Sequence, residues 1–173
     1  GVETQQFSEL VEVVAIRPGF GHGEVVVGPG QMSISVATDG GAALLDAAMV
    51  ALGREPGANA IFSISLPLEA SEMEVTELEL IAGTDPGQAI MDGGAFPGMW
   101  PPGYTIEIRD PLTGEWEVVG DLSTNNRFDI EDPSGAVSAA GRIDVRVTAG
   151  APDPNFGDPS VFVTARVEGV IAP

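Results

Sequence analysis

The stretch Tyr104-Thr105-Ile106-Glu107-Ile108-Arg109-Asp110-Pro111-Leu112-Thr113-Gly114-Glu115-Trp116-Glu117-Val118-Val119 decides the fold. Tyr104, Ile106 and Ile108 alternate with Thr105, Glu107 and Arg109, the period of a strand buried on one face. Asp110 to Gly114 then interrupts the alternation. Pro111 is preset for a turn and Gly114 accepts positive φ, so the segment predicts a hairpin loop. Glu115 to Val119 returns with Trp116 and Val118 on one face and Glu115 and Glu117 on the other. Tyr104 and Trp116, each in phase with aliphatic neighbours, are expected in the core.

The same rhythm runs outward from this hairpin. Downstream, Arg127 to Glu131 pairs Phe128 with Ile130, and Ile143, Val145 and Val147 alternate with Arg142, Asp144, Arg146 and Thr148. If that strand lies beside Glu107 and Arg109, cross-strand charge pairs follow. Ser160 to Ile171 places Val161, Val163, Ala165 and Val167 inward. Upstream, strands are predicted over Phe7 to Ile16, Glu24 to Gly28, Met32 to Val36, Ala60 to Leu66 and Glu72 to Ile81. In the last of these the apolar phase shifts from Met73 and Val75 to Leu78 and Leu80, as at a β-bulge. Ala42 to Leu52 is the one predicted helix, with Leu45, Met49 and Leu52 in register, Asp39 as cap and Gly53 as stop. About ten short strands separated by turns predict an all-β fold. It is expected to be a two-layer β-sandwich, jelly-roll-like, with at most one short helix, spanning residues 1–173 as one domain.

Composition agrees. Val and Ile together number 30 against 10 Leu in 173 residues, which favours strands. The charge is lopsided, with 26 acidic residues, seven Arg, no Lys and a net −19. Such a surface repels phosphate backbones and anionic bilayers, so neither nucleic acid nor a membrane surface is an expected partner. No apolar run is long enough to span a bilayer. The absence of cysteine excludes disulfides, thiol catalysis and zinc–thiolate sites. The first residue is Gly1 rather than Met, as expected of a processed mature protein or an excised domain.

Gly83 to Gly103 breaks the strand rhythm with a long loop dense in Gly and Pro. Long loops in compact domains carry function, so Asp92, Phe96, Met99 and Trp100 are the candidate ligand-binding residues, with Trp100 as the stacking ring. Calcium is the ion the residues suit, since it takes oxygen ligands alone. Asp153, Asn155 and Asp158 form the candidate metal set, with Asp129, Glu131 and Asp132 as a second cluster. Asp-Pro and Asn-Gly-type turn chemistry is the ordinary explanation of both, and no cofactor is otherwise implied. His22 is the only histidine, and without a Gly-x-Ser-x-Gly elbow it has no triad to serve. Glu115 and Glu117 beside Trp116 read as a solvated face.

Tyr104 to Ser123, with Arg127-Phe128-Asp129-Ile130 and Gly141-Arg142-Ile143-Asp144-Val145-Arg146-Val147, resembles jelly-roll, galactose-binding-like domains of exported bacterial surface proteins. The likeness is confined to these stretches of the C-terminal half. It implies an extracellular or cell-surface module that binds carbohydrate, or serves as architecture. The expected function is therefore a non-catalytic binding or adhesion module whose partner is a glycan or a surface protein. Two alternatives remain open. One is a structural subunit of a surface layer or filament, self-associating through its first or last strand. The other is a carbohydrate-active enzyme with two carboxylates facing each other across a cleft.

Overall fold

The computed structural model describes residues 3–8, 15–18, 23–27, 33–40, 42–46, 49–52, 56–83, 103–150 and 160–171. These form thirteen strands: β1 (Glu3–Ser8), β2 (Ala15–Pro18), β3 (Gly23–Val27), β4 (Ser33–Asp39), β5 (Ala43–Asp46), β6 (Met49–Ala51), β7 (Asn59–Ser65), β8 (Met73–Gly83), β9 (Thr105–Arg109), β10 (Trp116–Asp121), β11 (Arg127–Asp129), β12 (Arg142–Thr148) and β13 (Ser160–Ile171). All recorded pairings are antiparallel.

One sheet has the order β1-β4-β7-β12-β9-β10 and the other runs β11-β8-β13-β3-β2. The two pack face to face as a β-sandwich. Period-two alternation puts Val36, Phe62, Val145 and Ile106 inward from the first sheet and Val75, Leu80, Val163 and Ala165 from the second, all at most 5% exposed. Tyr104 is fully buried, as its phase predicts.

The predicted bulge is present. Glu77 faces Glu168 and Val75 faces Gly169, so Thr76 is the extra residue that moves the inward set from Met73 and Val75 to Leu78 and Leu80. The β9–β10 hairpin also forms as read: Asp110 N–H donates to the Glu115 carbonyl at 2.8 Å, and Gly114 takes φ +76°. The Asp110 carboxylate accepts the Leu112 N–H at 2.8 Å, fixing the turn from within.

Three expectations are corrected. Ala42 to Leu52 is not a helix: β5 and β6 pair with each other, and β6 pairs with β13 through Val50 and Ala51. An apolar segment of this length reads equally well in either period, and the available sheet edge decides it. Phe7 to Ile16 is not one strand, because β1 joins β4 in the first sheet while β2 joins β3 in the second. Trp116 is not in the core. It lies opposite Arg109 on the outer face of the first sheet, and Val118 on the same face is 59% exposed.

β13 is the spine of the second sheet. β8 pairs along one side of it, while β6 and β3 share the other side in succession. Of the first and last strands, then, only β1 lies at a sheet edge among the described residues.

Candidate functional site

On the outer face of the first sheet, β12 lies between β7 and β9, which brings the predicted charges together. Arg146 grips Glu107 with Nε on Oε2 at 2.8 Å and Nη2 on Oε1 at 3.1 Å, and the Thr148 hydroxyl donates to the same carboxylate at 2.8 Å. Asp144 sits between Arg142 at 3.2 Å and Arg109 at 3.8 Å. The bidentate pair is mostly buried and fixes the register of β9 against β12, whereas the more exposed pairs contribute little. The Arg146 guanidinium stands 4.5 Å from the Trp116 ring centroid and that of Arg109 5.8 Å. One face of the indole is thus engaged by a cation and is closed to a sugar ring.

β10 forms one edge of the first sheet and β11 one edge of the second. Where the strands are close, the Phe128 ring occupies the space that a side chain at position 120 would need, so Gly120 seals that end. Toward the β9–β10 turn, a cleft of about 430 Å³ opens between them. Ile108, Glu117 and Val119 line one wall and Asp129 to Asp132 the other. Five carboxylates border it (Asp110, Glu117, Asp129, Glu131 and Asp132) against the single cation Arg109. On the β9–β10 turn itself, Leu112 is 93% exposed.

A second cleft of about 430 Å³ lies across β11 on the outer face of the second sheet, holding Glu77, Glu79, Glu168 and Arg166. A hydrogen bond with Glu168, followed by repulsion from its charge, raises the pKa of Glu77 above the usual glutamate value. The folded state therefore holds this proton more tightly. The associated stability is present at low pH and is lost as pH rises through the raised value.

Asp121 behaves oppositely at the far end of β10. Burial pushes its pKa up, but the Ser123 hydroxyl at 2.6 Å and the backbone N–H groups of Gly103 at 2.9 Å and Ser123 at 2.8 Å outweigh that and hold it low. Its contribution is full above the ordinary aspartate value and disappears as pH falls through the lowered one. Asp121→Asn should destabilise the protein by about 1 kcal/mol, after allowance for solvent screening. Urea titrations at pH 7 and in acid would check this, the gap between variant and parent narrowing in acid.

The candidate ligand residues Asp92, Phe96, Met99 and Trp100 lie outside the described residues, as do Asp153, Asn155, Asp158 and His22. Among the described residues no group of three or more His, Asp or Glu is arranged to hold a metal ion. Asp129 and Glu131 line the cleft walls, and Asp132 accepts the Gly135 N–H at 3.2 Å as an ordinary turn cap. Glu115 and Glu117 are exposed, in keeping with their reading as a solvated face, and Glu117 also lines the cleft from opposite Ile108. The one sequence signal for an exposed apolar site on this hairpin is an aliphatic residue, Leu112, inside a Pro-Leu-Thr-Gly turn. No described helix is long and apolar enough to cross a membrane.

No family model, curated protein or solved structure matches the chain.

Proposed function

We propose that this chain is a non-catalytic binding or adhesion module of an exported or cell-surface protein, and that it engages its partner at the β9–β10 hairpin. One observation carries the reading: Leu112 and Val118 are the large hydrophobic side chains left exposed among the described residues, and both sit on this hairpin, where Val118 borders an open cleft. Isolated exposed aliphatics are common, but two on one edge next to a half-buried indole form a docking patch. A protein surface suits this patch better than a glycan, because Arg146 already covers one face of Trp116.

The test is an array of extracellular glycans and proteins probed with the parent chain and with Val118→Asp. The expected result is binding to a protein, weakened at least tenfold in the variant while thermal melting is unchanged. Binding indifferent to Val118→Asp overturns the hairpin as the docking site. Hydrolysis of glycosides by the parent chain, lost in Glu117→Gln, overturns the reading in favour of an enzyme whose carboxylates face each other across the cleft.

A further inference from the structure

We infer that the free edge of β10 accepts an extended cationic segment of another protein as an added strand, with Lys or Arg at alternate positions. This rests on the hairpin being the docking site and names the chemistry of what docks there.

Backbone geometry comes first. The Asp110–Glu115 hydrogen bond at one end and the Leu122 N–H to Tyr104 carbonyl bond, 2.8 Å, at the other set which residues of β10 face β9. In an antiparallel pair these alternate, so Glu115, Glu117 and Gly120 bond inward and the N–H and C=O of Trp116 and Val118 point away from β9. Among the described residues no strand pairs with that side. β10 carries neither Pro nor Lys, two common means by which edges discourage pairing. The Val118–Gly120 register shift and the Phe128 contact at Gly120 confine an added strand to the half of β10 nearest the turn.

Side chains then select the occupant. Residues of an added strand alternate between the cleft and the outer face. Those entering the cleft meet Glu117, with Asp129, Glu131 and Asp132 opposite, while those outside meet Trp116 and Val118. The complement is a strand that alternates cationic with apolar residues. A second copy of this chain is disfavoured: it brings a net charge of −19 and no Lys to an edge already bearing Glu117. An inward charge of this kind repels indiscriminate pairing and admits a strand of opposite sign.

Calorimetric titration of the full chain with an alternating valine–lysine peptide and its valine–glutamate counterpart tests this at low and physiological salt. The lysine peptide should bind, more weakly as salt rises, and the glutamate peptide should not. Val118→Pro removes an N–H that β9 does not use and is tolerated at an edge, so it should lower affinity by about tenfold or more without altering melting. Methylating the peptide nitrogens that face β10 should do the same with the parent chain, which covers the case of a variant that folds poorly. Affinity unchanged by both alterations, or a glutamate peptide that binds equally, overturns strand addition. Failure of every peptide while a protein partner still depends on Val118 overturns this inference and leaves the docking site standing. If no ligand depends on Val118, both fall.

Discussion

Gly141→Ala is expected to destabilise the protein by about 3 kcal/mol, read as a lower urea midpoint with an unchanged slope. Gly141 holds φ +79°, where an alanine costs about 1–2 kcal/mol, and a Cβ there would be driven into the Leu68 carbonyl oxygen. That oxygen belongs to backbone and cannot rotate aside, so the chain must shift, adding about 1–3 kcal/mol. The shift has consequences because Gly141 is a junction. Its N–H donates to the Ser138 carbonyl and its carbonyl accepts the Leu66 N–H, both at 2.8 Å, which starts the ladder between β7 and β12. Gly57→Ala is the control. Its φ is +84° with nothing within 4 Å of a new Cβ, so it should show the conformational cost alone.

Phe62→Ala should cost about 3–5 kcal/mol, the range for emptying a buried aromatic site, and lower the melting temperature by roughly 10 °C. Phe62 is fully buried at the centre of the first sheet, paired with Val36 on one side and Val145 on the other. Those neighbours are β-branched and stiff, so the cavity has little means of closing. Differential scanning calorimetry would read the effect. A drop of only a few degrees would mean that the sheets close over the gap.

What could be read in advance divides along physical lines. β7, β12 and β13 are half-buried strands whose period is local, and the inward sets Ala60–Phe62–Ile64 and Ile143–Val145–Val147 follow from it. The bulge at Thr76 was legible for the same reason, since a single extra residue inverts the phase. Trp116 shows where this information ends. Period two says that Trp116 and Val118 share a face but not which face. On β10 the outer face wins, because Arg146 from β12, reaching across β9, supplies the cover for the indole. Phe7 to Ile16 contains no Gly or Pro to mark the passage from one sheet to the other. Helical spacing at Leu45, Met49 and Leu52 yields to pairing with a strand more than a hundred residues away. The cleft was hidden altogether, since it depends on which strands end as neighbours across the gap between sheets.

The central place of β13 also constrains when the molecule can acquire its shape. Val167 must find both Val27 and Leu78 before the second layer closes, so partners made early wait for residues made late. Contacts so remote in sequence make assembly slow and leave little to gain from partial structure during synthesis. The second sheet of such a design stays open until β13 has been made. That is a handicap where idle strands aggregate, and an asset for a polypeptide that must be threaded through a narrow pore before it folds.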